Sequence, residues 1–389
     1  MLNHNLIEEG TYFRCFHFAR HLVKRGHRVC LITISRTRRF FPKTQRRDGV
    51  KVIETPKGLF GRLHHGAFGE IDIPYRILYV LSNSFDVVMA FSHRPNVAFP
   101  FYISRFFRKA TYISDWDDLW TQGGLLGYGE NNRLTYWLDK LLEKDIRLKA
   151  DGVVTTSSFL YEMAMKIGVA KERLICIPPG ADTDSIKPLS KKEVRQELNI
   201  PLEAKVVELV TSGKSEEINI IFKSFREVSE EIENSLLIFV GPRDSSRKKS
   251  IDKYHLNGKV IETGVVPHRD IGKYLAIADV LVLPMPDTPN NRLRGPIKLG
   301  DYMASGRPVV INDMGDAGRW FKQDRLGLLA KQDLSDFSQK IIEFLKNSEL
   351  CEEIGRSARK AALEKYSWAI RTETLEKFIF RVRRIKDNN

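Results

Sequence analysis

The sequence predicts an α/β protein of two Rossmann-like domains with parallel sheets. Three observations lead there. The chain has 389 residues, more than the roughly 100–200 of a usual domain, so two domains are the natural division. Short Val/Ile-rich runs alternate with helical segments, the pattern of parallel βα units. That rhythm stops at a Pro/Gly-dense stretch, residues 178–188, and then starts again. Hydrophobic content of 42% beside 29% charged residues supplies a sizeable core and a solvated surface. The break places one domain at residues 1–190 and the other at 191–389.

In the first half, residues 12–25 set Phe13, Phe16, Leu22 and Val23 at helical spacing with basic residues between, closed by Gly26. Residues 27–35 follow as a strand. Only residues 1–4 remain for a preceding strand: either the chain starts late or that strand is a stub. A central parallel strand cut that short leaves backbone groups of its neighbours unpaired. Residues 36–47 read as a basic loop interrupted by Phe40 and Phe41. Strands are expected at 50–55, 86–91, 110–115 and 152–156, with helices at 74–81, 97–107, 133–148 and 157–167. The second half gives strands at 205–211, 235–240, 259–262, 279–283 and 309–311. Its helices fall at 216–231, 269–276, 296–305, 333–346, 352–365 and 368–384.

The net charge of +14 implies a negatively charged partner: nucleic acid, an anionic membrane face or a phosphorylated substrate. In the loop Arg36 to Arg47, cations beside aromatic rings suit an anionic bilayer surface. Residues 99–109 repeat that chemistry, and a buried helix with a charged end explains them as well. No RNA-binding signature is present, so no nucleic-acid partner is expected. Cys15, Cys30, Cys176 and Cys351 are far apart with no C-x-x-C pair and read as reduced core residues. The start of the chain lacks the basic and apolar regions of a signal peptide, and no apolar run reaches the ~18 residues of a membrane span. A cytoplasmic location follows, peripheral at the inner face of a membrane.

The most informative stretch is residues 292–311. Pro296 suits a first helical position and Gly306 a C-terminal cap. Lys298 sits in the first turn, where the helix dipole disfavours a cation, with Arg292 and Arg294 just upstream. A docked phosphate or pyrophosphate explains that crowding; a solvated basic turn is the plainer reading. The wording Gly295-Pro-Ile-Lys-Leu-Gly-Asp-Tyr-Met-Ala-Ser-Gly-Arg-Pro-Val-Val310 resembles the donor-binding segment of the family 4 glycosyltransferases, Pro-x-Lys-Leu-x-Glu-Tyr-Met-Ala-x-Gly-x-Pro-Val-Val. Residues 178–182, Pro-Pro-Gly-Ala-Asp, resemble that family's interdomain linker, and the helix, Arg-Gly-His and strand after Gly10 resemble its opening. The resemblance covers nearly the whole chain and implies a GT-B fold, two Rossmann-like domains facing each other across an interdomain cleft, with the last helix crossing back to the first domain.

It also implies an activity: transfer of a sugar from a nucleotide-diphosphate donor to a glycan or lipid-linked acceptor, with retention of configuration and with no metal or other cofactor. The implied donor side comprises Gly10, for the Gly-rich loop, with Gly213, Lys214, Arg294, Gly295, Pro296, Lys298 and Asp301. Thr211-Ser-Gly-Lys-Ser215 is not a P-loop, because that motif's first glycine would fall on Glu208. Lys214 takes the place of a family arginine on the diphosphate; the family's second cation is absent, and Glu216 and Glu217 follow instead. Of the family's Glu-x7-Glu pair, Asp301 fills the ribose position and Leu293 the sugar position. On the acceptor side, Asp117 or Asp118 of Ser114-Asp-Trp-Asp-Asp-Leu-Trp120 orients a hydroxyl, with helix capping as the alternative. His93 is a weaker candidate. Catalysis would rest on Asp117, Lys214 and Lys298. Adjacent His64 and His65 lack a third ligand, so no metal site is expected. A non-catalytic GT-B subunit, acting as a binding partner or membrane scaffold, is the competing reading, on the departures at Leu293 and Glu216.

Overall fold

A computed structural model describes residues 1–37, 40–56, 69, 71–121, 133–211, 213, 215–293 and 295–388. They divide into two compact units. One comprises Met1–Pro179, Leu293–Gly295 and Trp368–Asn389; the other comprises Gly180–Arg292 and Pro296–Ser367.

The first unit contains β1 Leu2–Leu6, β2 Cys30–Ile34, β3 Lys43–Arg47, β4 Val50–Thr55, β5 Val87–Phe91, β6 Thr111–Trp116, β7 Gly152–Thr155 and β8 Leu174–Cys176. They form one sheet in the order β3-β4-β2-β1-β5-β6-β7-β8, parallel throughout except for β3 on the edge. Two expectations need correcting. The first strand is longer than residues 1–4: β1 runs to Leu6 and pairs with both β2 and β5. Its polar centre hid it, because Asn3 and His4 are buried and take partners from neighbouring strands. Asn3 donates to the Thr33 hydroxyl at 2.9 Å, and burial lowers the His4 pKa to about 3. The basic stretch 36–47 is also not wholly a loop. Lys43–Arg47 pairs antiparallel with β4, where Gln45 donates to Glu54 at 2.9 Å. As an edge strand without an apolar face, it gave no period-2 signal.

Both faces of this sheet are covered, as parallel strands require. On one, Val97 and Phe101 of helix Pro95–Phe107 and Ile146 of helix Arg133–Lys149 pack with Ala90, Tyr112 and Val153. On the other, helix Thr11–Lys24 and the last helix, Trp368–Asp387, pack Phe18, Trp368 and Phe378 with Leu31, Phe91 and Val154. The imidazole of His17 stacks on Trp368 at 4.9 Å between ring centroids.

The second unit contains β9 Lys205–Val210, β10 Ser235–Val240, β11 Val260–Glu262, β12 Val280–Leu283, β13 Val309–Asn312 and β14 Leu328–Ala330. Its sheet is parallel, in the order β11-β10-β9-β12-β13-β14. Helices Ser215–Glu231 and Leu334–Lys346 cover one face through Ile221, Phe222, Phe225, Phe337 and Ile341. Helix Ile297–Ser305 covers the other through Leu299, Tyr302 and Met303. Each such side chain withdrawn from water contributes about 1.5–3 kcal/mol.

In each unit the strand order reverses once, between β1 and β5 in the first and between β9 and β12 in the second. Ligands of open parallel sheets bind outside the carboxyl ends of strands at such reversals. The end of β9 and the loop after β1 are therefore where a site is expected on topology alone.

Candidate functional site

In the second unit the helix expected over 296–305 forms as Ile297–Ser305, with Pro296 as its N-cap and Gly306 in the left-handed region at φ 69° as its C-cap. Gly300 sits where a Cβ would overlap the carbonyl oxygen of Gly180, so this glycine lets the helix lie directly on residues 180–181. Lys298, one quarter exposed, reaches the end of β9, where its Nζ donates to the Val210 carbonyl at 2.9 Å and stands 3.7 Å from the Glu217 carboxylate. Fully buried Tyr302 accepts a hydrogen bond from the Val210 N–H at 2.9 Å and donates to the Val282 carbonyl at 3.4 Å. Both polar groups of the last β9 residue are thus held by this one helix. Gly213, at φ 96°, donates its N–H to the Thr211 hydroxyl at 3.0 Å. Asp301 is 9% exposed, one residue before Tyr302.

Lys298, Gly213, Pro296 and Asp301 all belong to this unit. Lys214 and Arg294 lie outside the described residues. Arg292, a suggested extra cation, is held by Asp287 through two hydrogen bonds of 2.5 and 2.7 Å, which also keep the Asp287 carboxyl below its usual range. Leu293 is 4% exposed and packs in the core of the first unit. Gly295 belongs to that unit too, against Pro179 and the Thr156 carbonyl.

In the first unit, Gly10 turns the chain after β1 at φ 52°, where a Cβ would overlap the side-chain amide of Asn5. Only glycine fits that turn. The next residue, Thr11, donates its hydroxyl to Asp117 Oδ2, and Thr156 donates to the Asp117 carbonyl at 2.8 Å. Asp117 Oδ1 has no hydrogen-bond partner among the described residues. Burial raises the Asp117 pKa, opposed by the Thr11 hydroxyl and the Arg14 charge.

The two outer acids of Asp115-Trp-Asp117 therefore do different things. Asp115 is fully buried and takes Arg14 Nε and Nη2 at 3.0 and 2.8 Å, while the same Nη2 donates to the Ile177 carbonyl at 2.9 Å. Asp115 and Arg14 are an internal tie, and Asp117 is the acid with an oxygen to spare. Asp118 is half-buried beside it. His93 is fully buried, its ring nitrogens 3.8 Å from Asp139 and 3.9 Å from Glu143, and burial with the Arg147 and Arg94 charges drives its pKa far down. It is a neutral core imidazole withdrawn from solvent. Ser92 before it is buried in a left-handed conformation, φ 84°, an uncommon backbone at the end of β5, the strand beside the reversal.

Sequence reasoning missed Thr11, Tyr302 and Val210. Tyr302 stands inside the segment that resembles the family's wording, but nothing in that wording gives it a role. Thr11 follows the turn glycine, but nothing in its neighbours points to Asp117. Val210 acts through its backbone, for which no residue type is a signal.

With this geometry in view, two family models match in succession. Residues 11–185 match "Glycosyltransferase Family 4", and residues 190–361 match "Glycosyl transferases group 1". Among curated proteins, the chain is similar to a putative teichuronic acid biosynthesis glycosyltransferase, TuaH, of Bacillus subtilis, with 23% identity over 214 residues. That alignment spans 54% of this chain and about half, 52%, of the relative. Among solved structures, sucrose-phosphate synthase of Thermosynechococcus elongatus superposes with a TM-score of 0.74 at 18% identity, over 99% of this chain and 96% of the other. Anabaena HepE, solved with UDP and glucose, gives 0.70 at 14% identity, over 97% and 98%. Those similarities show a shared fold, and the two adjoining family models add lineage to it: the chain belongs to the GT-B glycosyltransferase superfamily.

Proposed function

We propose that the protein transfers a sugar from a nucleotide diphosphate to a glycan or lipid-linked acceptor, with retention of configuration and without a metal ion. The observation that carries the reading is Lys298, a cation fixed at the carboxyl end of β9, beside the sheet's reversal, at the start of a helix whose amides face the same end. A diphosphate placed there meets an ammonium and the positive helix end together. Lys214 and Arg294 would add charge to the departing diphosphate, and Asp301 would accept from the ribose hydroxyls. On the acceptor side, Asp117 has an enclosed Oδ1 without a hydrogen-bond partner among the described residues while Thr11 fixes Oδ2, and a small side-chain shift would bring Oδ1 to an acceptor hydroxyl. Retention is supported by the resemblance of residues 292–311 alone.

Because HepE is solved with UDP and glucose, uridine diphosphate is the first nucleotide to test, followed by GDP and ADP. Calorimetric titration is expected to show one of the three binding, and a panel of its sugar conjugates to show slow hydrolysis of one. Binding of none sinks the transferase reading. Binding without turnover of any conjugate in the presence of acceptor extracts turns the reading to a non-catalytic subunit.

A membrane-facing surface on the first unit is proposed with it. Phe40 and Phe41 are 62% and 81% exposed just before the edge strand Lys43–Arg47, and Arg38 and Arg39 lie outside the described residues. Phe106 and Phe107 are likewise exposed, ahead of Arg108 and Lys109. Among the described residues no helix is long and apolar enough to cross a membrane, so contact would be peripheral, at the inner face. The protein is expected to float with phosphatidylglycerol-containing vesicles and not with phosphatidylcholine alone, and Phe40→Ser/Phe41→Ser to abolish flotation. Equal recovery with both lipids, or with the double variant, rules this surface out.

A further inference from the structure

We propose that the second unit carries a separate anion site, a cavity of about 540 Å³ at the amino ends of its central strands, that binds a phosphate-bearing small molecule. Lys205 opens β9, Asp279 precedes β12 and Arg307 precedes β13, and all three line the cavity. Val210, which holds Lys298, is at the far end of β9, about 17 Å away at the rise of a strand. The volume falls within the ~300–1,000 Å³ of small-molecule sites.

The charge in this cavity is unbalanced. Six cations line it against the three carboxylates of Asp279, Glu352 and Glu364. Asp279 is consumed internally: it accepts from Lys191 at 2.5 Å, from Arg195 at 2.8 Å and from the Val206 N–H at 2.7 Å. Glu352 is met by Arg356 at 3.7 Å. Among the described residues, Lys205, Arg307, Arg359 and Lys360 have no carboxylate oxygen within 4.0 Å.

The two arginines of that group are held rigid by neutral acceptors. Arg307 Nη2 donates to the carbonyls of Leu189 and Ala276 at 3.0 and 2.7 Å, and its buried Nε has no hydrogen-bond partner among the described residues. Arg359 Nη1 donates to the carbonyls of Ile186 and Ala304 at 2.9 and 2.8 Å. Carbonyl partners fix a guanidinium without cancelling its charge. Four like charges share the cavity with one remaining carboxylate, Glu364, and their repulsion favours a further anion. A phosphate, with up to two negative charges and several acceptor oxygens, answers cations arriving from different directions better than a single carboxylate does. The wall of Phe344, Leu345 and Leu363 gives the rest of such a molecule an apolar surface.

The inference does not depend on the donor reading, and its test keeps the two apart. Inorganic pyrophosphate is titrated calorimetrically into Lys298→Ala, and into Lys298→Ala carrying either Lys205→Glu/Lys360→Glu or Lys205→Arg/Lys360→Arg, with circular dichroism confirming that each is folded. Pyrophosphate is expected to bind Lys298→Ala with or without the arginine pair, and to bind the form with the glutamate pair at least about tenfold more weakly, a change of about 1.4 kcal/mol. The proposal is overturned if Lys298→Ala does not bind pyrophosphate, or if adding the glutamate pair leaves its binding unchanged.

Discussion

Lys298→Ala is expected to weaken binding of the preferred nucleoside diphosphate by about 10- to 100-fold, the worth of a charge-assisted hydrogen bond of about 1.5–3 kcal/mol. The ammonium is already oriented, because its bond to the Val210 carbonyl at 2.9 Å fixes it at the end of β9 before any ligand arrives. Little ordering is left for binding to supply. Glu217 makes the prediction sharper. Its carboxylate, 3.7 Å from Lys298 and 3% exposed, offsets part of the charge a diphosphate would use. Glu217→Gln should therefore tighten nucleotide binding while Lys298→Ala loosens it. A purely structural lysine gives a different pair of results, a lower melting temperature for Lys298→Ala and nucleotide affinity unchanged in both variants. Calorimetry and thermal denaturation on the same preparations separate the two.

The legible part of this molecule was whatever repeats. The Val/Ile strands and the helices between them were readable because a parallel sheet covered on both faces needs near-continuous apolar runs. The segment around Lys298 was readable because its punctuation, Pro296 and Gly306, marks helix ends. What escaped was polar and buried. Asn3 and His4 lie in a central strand because Thr33 and Phe91 supply partners across the sheet, and partners from distant strands leave no local pattern. The same holds for the division of labour in Asp115-Trp-Asp117, where Arg14 and Thr11, about a hundred residues earlier, decide which acid is tied. His93 reads in sequence as a polar residue at a strand end, and only packing shows it enclosed.

Glu208 is the case where sequence gave no warning and the expected effect on stability is largest. It sits in the middle of β9, fully buried, and neither carboxyl oxygen has a hydrogen-bond partner among the described residues. Burial raises its pKa well above the ordinary 4.5, only partly opposed by the Arg307 charge. The folded protein therefore keeps a proton there that the unfolded chain releases near pH 4.5. With more protons bound in the folded state, stability is full below that pH and falls as pH rises toward the folded pKa, at about 1.4 kcal/mol per pH unit within the window. Glu208→Leu removes the titration and fills the site with an apolar group beside Val206, Ile238 and Leu281, which belong to the cluster packed on that sheet face. Urea denaturation between pH 5 and 8 is expected to show this slope flattened in the variant and a gain over wild type of about 2–4 kcal/mol at pH 8, the scale of replacing buried charge by packing. Glu208→Gln should flatten the slope as well but gain less, because its amide remains buried without a partner. Parallel stability curves for wild type and Glu208→Leu would mean that Glu208 does not hold the proton, and that its carboxylate is ionised in the folded state at a cost the rest of β9 absorbs.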